Sequence, residues 1–256
     1  MESGTSFFKA NYHIELRDVD FTKELKLSTL FSYFQDTASL ASEALGCGIE
    51  TLKETHGVAW VLTRIYVEIL RHPILDEVIT IETWPLEPGK LEFDRDFFVR
   101  DANGKVIIKA VSKWVIMDLK ERKLKRSDAI GIHYPVDTAE RAIEGKLRKL
   151  KDFGHPEVVY NKVIGYSDID FNGHLNNSRF VDYIMDCFSI EDHKTQTIHT
   201  LDLNFIQEAL PGESITINKD TSKMDEKFIY IEGINQTRQT LAFKSLILID
   251  STNKLQ

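Results

Sequence analysis

The chain has few cysteines, no long apolar runs and no surplus of positive charge. Its two cysteines, Cys47 and Cys187, give neither a disulfide framework nor a metal-ligand spacing, which suits a reducing compartment. No apolar run approaches the ~20 residues that a membrane-spanning helix needs. The opening MESGTSFFKANYHIEL has no basic stretch leading into a long apolar one, as a secretory signal would. It also lacks the Ser-rich, Arg-rich, acid-poor composition of a transit peptide. The expected location is therefore the cytoplasm. A formal charge of −8 argues against general nucleic-acid binding. What is present is apolar mass. With 256 residues, 42% of them apolar and 15 of them Phe, the chain can bury one large core or two moderate ones.

The basic residues gather in two runs: Lys120, Arg122, Lys123, Lys125 and Arg126, then Lys146, Arg148, Lys149 and Lys151. Each run alone reads as solvated loop charge. Together, in an acidic protein, they offer a local landing site for an acidic partner.

The chain contains itself twice. DVDFTKELKLSTLFSYFQD (18–36) and DIDFNGHLNNSRFVDYIMD (168–186) align at an offset of 150 without a gap, with seven identities. They are Asp18/Asp168, Asp20/Asp170, Phe21/Phe171, Leu25/Leu175, Ser28/Ser178, Tyr33/Tyr183 and Asp36/Asp186. The order continues with EVITI (77–81) and ESITI (213–217) at an offset of 136, and with AVSKWVIMD (110–118) and AFKSLILID (242–250) at 132. Repeats in a fixed order identify duplicated structural units. We place two copies of one domain at 1–140 and 155–256, joined by a charged linker, 141–154. The AERAIEGKLRKLK stretch around that linker is read as a helix.

Each copy reads as strand, helix, then several strands. The first strands are NYHIEL and VVYNKVIG. In copy one, Leu27, Leu30, Phe31, Phe34, Ala38, Ala41 and Leu45 recur at helical spacing, with Gly46 as a stop. In copy two, Phe180, Val181, Ile184, Met185 and Phe188 do the same, behind candidate caps Asn176, Asn177 and Ser178. These spacings predict helices over 27–45 and 177–188. The strands that follow are WVLTRIYVEIL, VITIETW, FDRDFFVRD and VIIKAVSKWVIMD, with Asn103-Gly104 marking a hairpin, and then LDLNFIQEAL, SITINKD, KFIYIEGINQ and TLAFKSLILID. One helix followed by antiparallel strands is an α+β unit with the helix on one face of the sheet. By analogy, a sheet wrapped around a long apolar helix is the hot-dog arrangement. Two in tandem are expected to pack as a pseudo-dimer.

Shared residues read as structural, and differences as specialisation. Copy one has Asp20, Thr22 and Glu24 where copy two has Asp170, Asn172 and His174. Asp-x-Asn-x-His thus occurs only in copy two, just before its helix. A helix N-terminus offers N–H groups and positive dipole, which suits a developing oxyanion. Asn donates or accepts hydrogen bonds, and His holds or transfers a proton. The same residue types also describe an ordinary capped turn.

At these motifs the chain resembles the plant and bacterial acyl-ACP thioesterases, over nearly its whole length. The carriers are SDIDFNGHLNNSRFVDYIMD (167–186), WVLTRIYVEILRHP (60–73) with ETWPLEPGK (82–90), VRDANGKVIIKAVSKWVIMD (99–118) and LDLNFIQEALPGES (201–214). The resemblance implies two fused hot-dog domains, no metal and no organic cofactor. It implies hydrolysis of the thioester between a fatty acyl chain and the arm of acyl carrier protein. Asp170, Asn172 and His174 match the family's functional residues, and its conserved acid falls on Glu208. Many plant members carry Cys directly after that acid; here the position is Ala209, which argues against a thiol nucleophile. Cys47 and Cys187 read as buried structural thiols.

The implied reaction is direct attack by water without an acyl-enzyme. Glu208 is the general base, and Asn172 and His174 hold the water or the thioester carbonyl. The roles of base and orienter stay exchangeable between Glu208 and His174. Asp170 orients Asn172 or His174, or caps the helix. Copy one, lacking Asn and His at these positions, is read as a non-catalytic partner that lines the acyl pocket. Competing readings are an acyl-CoA thioesterase and a catalytically silent acyl-binding module. A homodimer is compatible with the sequence, and acyl chain length stays open.

Overall fold

Valine, isoleucine and phenylalanine crowd the segments that become strands, because branched and aromatic side chains fit a pleated, half-buried surface. A computed structural model describes residues 6–132, 134–136, 140–145, 147–151 and 154–251. The chain divides into two units, Met1–Leu25 with Ser32–Leu147, and Lys26–Phe31 with Arg148–Gln256. No helix among the described residues is long and apolar enough to cross a membrane.

Apart from the first turn of α1, Leu27–Phe31, which groups with unit 2, unit 1 runs β1 (Phe8–His13), α1 (Leu27–Ala44), α2 (Ile49–His56), β2 (Val58–Ile69), β3 (Val78–Pro85), β4 (Glu92–Arg100), β5 (Val106–Asp118), β6 (Leu124–Lys125) and α3 (Ser127–Ile130). Its strands lie in the order β1-β3-β4-β5-β2, all antiparallel, with β6 paired to β5. Of the expected stripe, Leu27, Leu30, Phe31, Phe34, Ala38 and Ala41 are buried in α1, while Leu45 falls one residue past its end and is partly buried. The helix meets the sheet through Phe34 and Phe97, ring centroids 4.8 Å apart, and through Tyr12 Oη and Thr37 Oγ1 at 2.9 Å. Burying each such large side chain contributes about 1.5–3 kcal/mol. Gly46, at φ +71°, ends the helix as expected: a left-handed residue there lets Cys47 N return to Ser42 O at 3.0 Å. Among the buried cations, Arg95 donates to hydroxyls rather than to a carboxylate, those of Thr83 (3.4 Å) and Ser42 (3.3 Å), and burial pulls its pKa down to about 10.

Unit 2 runs β7 (Glu157–Val163), α4 (Asn177–Met185), α5 (Ile190–Thr195), β8 (Gln196–Phe205), β9 (Ser214–Asp220), β10 (Phe228–Asn235) and β11 (Thr240–Ser251). Its order, β7-β9-β10-β11-β8, repeats that of unit 1 strand for strand. Phe180 of α4 sits edge-on to Phe205 and Phe243, at 5.6 and 5.4 Å. Gly233 of β10 makes room for this, since a Cβ there would overlap the Phe243 ring. Each unit is therefore an α+β hot-dog, a helix laid on one face of an antiparallel sheet.

The shared residues do the same work twice. Asp18 accepts from Glu15 N (2.9 Å) and Asp168 from Gly165 N (2.8 Å). Tyr12 Oη donates to Tyr33 O (3.3 Å) and Tyr160 Oη to Tyr183 O (2.7 Å), each tying the first strand to the helix.

Three expectations need correction. The helix of copy two stops at Met185, because Ser189 and Asp192 form a capping box that starts α5. The strand in NYHIEL ends at His13, with Leu16 80% exposed in a turn. The described residues of AERAIEGKLRKLK are not helical. Their backbone is held by side chains of the unit 1 sheet instead: Trp84 Nε1 donates to Glu140 O (3.0 Å), Arg64 Nη1 to Leu147 O (3.0 Å), and Ala142 N to Asp96 Oδ2 (2.7 Å). Ala142, Ile143 and Leu147 pack with Trp84, Phe98 and Val111, and that apolar contact replaces a solvated helix.

Candidate active site

Before α4 the chain makes a tight loop organised by Asp170. Its Oδ1 accepts from the backbone N–H groups of Asn172 (2.9 Å) and His174 (3.2 Å). Its own backbone N donates to His174 O (2.8 Å), and Gly173 N donates to Asp170 O (3.0 Å). Gly173 sits at φ +78°, which glycine adopts without strain. Asp170 therefore acts on Asn172 and His174 through their backbone. It does not cap α4; Asn176 does, accepting from Ser178 N at 2.9 Å and Ser178 Oγ at 3.0 Å. That cap occupies the Ser178 N–H, which leaves less of the helix N-terminus to face an oxyanion.

Glu208 lies beyond the end of β8, in a loop rather than in the strand read from LDLNFIQEAL. Ile206 N and Gln207 N both donate to Ala242 O (2.8 and 3.1 Å), and Leu175 N donates to Ala209 O (2.9 Å). The last bond stitches the Glu208 loop to the His174 loop. His174 Nε2 and Glu208 Oε2 consequently stand 3.6 Å apart, each side chain about one-third exposed, at 33% and 34%. At that distance a small shift or a bridging water completes the hydrogen bond, as is usual for sites without substrate. Asn172 is exposed at the tip of the loop, and its amide makes no hydrogen bond among the described residues. Phe171 and Ile206, in the same two loops, are exposed.

Of the four residues singled out from the sequence, Asp170 organises the loop that carries Asn172 and His174, and His174 faces Glu208 across the two loops. The thiols do not join them. Cys187 is buried, donates toward Tyr183 O at 3.5 Å, and burial pushes its pKa up to about 12. Cys47 is buried, and burial raises its pKa too. Burial thus disfavours the thiolate, the nucleophilic form, at both positions. Ala209 is fully buried.

The basic run at 120–126 passes from a turn into β6, and three of its charges have acidic neighbours: Lys125 has Asp118 (3.1 Å), Arg126 has Asp128 (2.8 Å) and Lys123 has Glu121 (3.9 Å). In the second run Lys146 lies outside the described residues, while Arg148, Lys149 and Lys151 are exposed.

Comparison with known proteins bears on the whole chain. Residues 5–129 match the acyl-ACP thioesterase N-terminal domain and residues 159–253 the C-terminal domain of the same family. A chloroplastic acyl-[acyl-carrier-protein] hydrolase of Cuphea viscosissima is 27% identical over 245 residues, 90% of this chain and 59% of that protein. The chloroplastic oleoyl-acyl carrier protein thioesterase 2 of Arabidopsis thaliana is 26% identical over 253 residues, 92% of this chain and 68% of that protein. The chain spans a little over half the length of the Cuphea relative. An acyl-ACP thioesterase of Bacteroides thetaiotaomicron superposes with a TM-score of 0.85 at 27% identity, covering 98% of this chain and 100% of its own. The 12:0-ACP thioesterase of Umbellularia californica shares the fold, with a TM-score of 0.81 at 18% identity, covering 97% of this chain and 99% of its own. With both domain models matched in order, the chain belongs to the acyl-ACP thioesterase family.

Proposed function

We propose that the chain hydrolyses the thioester of fatty acyl-ACP, releasing free fatty acid and ACP, at a site in unit 2. The observation that carries this reading is the approach of His174 Nε2 and Glu208 Oε2 to 3.6 Å beside an exposed Asn172 amide. Water adds to the thioester carbonyl carbon; the new C–O bond forms and the C–S bond breaks. The His174–Glu208 pair takes the proton of the water and returns one to the departing thiolate. Asn172 donates to the carbonyl oxygen as it gains charge. Asp170 is a positioning residue. No acyl-enzyme is required, in keeping with Ala209 and with two buried thiols.

The acidic carrier is met by Arg148, Lys149 and Lys151, which are exposed. The proposed compartment is the cytoplasm, where buried, unpaired thiols stay reduced. The test is hydrolysis of a panel of acyl-ACPs of varied chain length, with the matching acyl-CoAs in parallel. Turnover of acyl-ACP well above that of acyl-CoA is expected. Equal turnover makes the chain an acyl-CoA thioesterase of the same mechanism, and no turnover of either makes it a binding module.

A further inference from the structure

The backbone frame that brings His174 to Glu208 exists a second time, in unit 1. Leu25 N donates to Pro73 O at 2.8 Å, as Leu175 N does to Ala209 O at 2.9 Å. Leu70 N and Arg71 N both donate to Ile107 O (2.9 and 3.1 Å), as Ile206 N and Gln207 N both donate to Ala242 O. These matches set Glu24 at the position of His174 and His72 at the position of Glu208. The offsets between the repeats, 150 and 136, give the same correspondence. Acid and imidazole have changed places between the two segments, and they still face each other, with His72 Nδ1 3.9 Å from Glu24 Oε2. A change at one position alone would not keep an acid facing an imidazole. A complementary exchange keeps one proton acceptor and one proton shuttle in the frame. The pair is more sheltered than its counterpart, with side chains 12% and 23% exposed against 33% and 34%. Phe21, in the Glu24 loop, is exposed, as Phe171 is in the His174 loop.

We propose that unit 1 carries a second, slower thioester-hydrolysing site built on Glu24 and His72; this rests on the reading of unit 2 given above. The step is the same: water adds to the carbonyl carbon, C–O forms, C–S breaks, and the pair carries a proton from the water to the leaving thiolate. It is slower because the residue at the Asn172 position is Thr22, whose hydroxyl donates to Asp20 Oδ1 at 2.6 Å and is spent there. The Thr22 position thus offers no amide of the kind that Asn172 presents in unit 2.

The test starts from a full-length variant with His174→Ala and Glu208→Gln, assayed with acyl-ACP over long incubations against a protein-free control. Residual hydrolysis above the control is expected, falling about tenfold or more when either Glu24→Gln or His72→Gln is added, the loss expected for a general base or its partner. Thermal melts of each variant keep a folding defect apart from a loss of chemistry, and the isosteric Glu24→Gln repeats the test should His72→Gln unfold. A residual rate equal to the control, or one that neither substitution moves, overturns the proposal. Full turnover in the parent variant would instead overturn the reading of unit 2. If that turnover then fell with His72→Gln, the unit 1 site would stand without it.

Discussion

The Asp20 loop of unit 1 and the Asp170 loop of unit 2 share a backbone and differ in what they present. In each, the Asp carboxylate accepts from the N–H two residues on, at 2.7 Å for Thr22 and 2.9 Å for Asn172. In each, its own N–H donates to the carbonyl four residues on, at 2.9 Å for Glu24 and 2.8 Å for His174. The left-handed residue between them is Lys23 at φ +65° in unit 1 and Gly173 at φ +78° in unit 2. The side chain at the tip is what separates them. Thr22 turns inward to Asp20, whereas Asn172 stays exposed. A duplicated loop thus keeps the residue that holds its shape and varies the ones it presents.

The sharpest way to break this comparison is at the tip. Asn172→Ala should lower kcat on acyl-ACP roughly 100-fold or more, the range for losing an oxyanion donor, while Thr22→Ala changes it little. Steady-state kinetics on both, with melts to match stability, decide it; equal losses would make both loops catalytic to the same degree. The organisers come next. Asp170→Ala and Asp20→Ala should each cost about 1–3 kcal/mol of stability, because backbone donors lose their acceptor. Only Asp170→Ala should also depress kcat in the fraction that remains folded. If Asp20→Ala depresses kcat as much, the carboxylate is not merely a shaper of the loop.

Charge reversal at Arg148, Lys149 and Lys151 should raise KM for acyl-ACP and leave short acyl-CoA turnover nearly unchanged. The same change in the 120–126 run should do less, since Lys123, Lys125 and Arg126 already have acidic neighbours. The effect should shrink as salt rises, with screening over ~8 Å at physiological ionic strength. A KM that is insensitive to charge and salt removes the second run from docking. The smallest effect belongs to the thiols. Cys47→Ala with Cys187→Ala should retain most activity, and Cys187 should react with a thiol reagent only on unfolding, its pKa being pushed up to about 12 by burial. A trapped acyl-cysteine would replace the water mechanism.

Much of this was legible in the sequence, for identifiable reasons. VIIKAVSKWVIMD and SITINKD became β5 and β9 with the bounds expected, since dense branched residues leave little alternative. The apolar stripe of α1 and the stop at Gly46 follow from period and φ alone. Asp170, Asn172 and His174 stood out because the repeat supplied its own control. What sequence missed was decided by tertiary contact. Ile206–Leu210 look like a continuation of β8, yet the chain leaves the sheet once Ile206 and Gln207 share one acceptor, and so Glu208 ends in a loop. The stretch after Glu140 has helical spacing, but the sheet offers it better partners in Asp96, Trp84 and Arg64. The end of α4 is written in Ser189-Ile-Glu-Asp192, whose capping box starts α5. His72 was within reach as well, since the offset of 136 carries it onto Glu208.

The most direct test of the central claim, that the unit 2 pair carries the reaction, is kcat on one acyl-ACP for His174→Ala and Glu208→Ala set against Glu24→Ala and His72→Ala. The account predicts roughly 100-fold or greater loss for each of the first two, and little change for the second two while unit 2 is intact. The double His174→Ala/Glu208→Ala should be little worse than the worse single variant, because a pair acting as one unit is not additive. Losses of equal size in Glu24→Ala and His174→Ala, at equal stability, would contradict it.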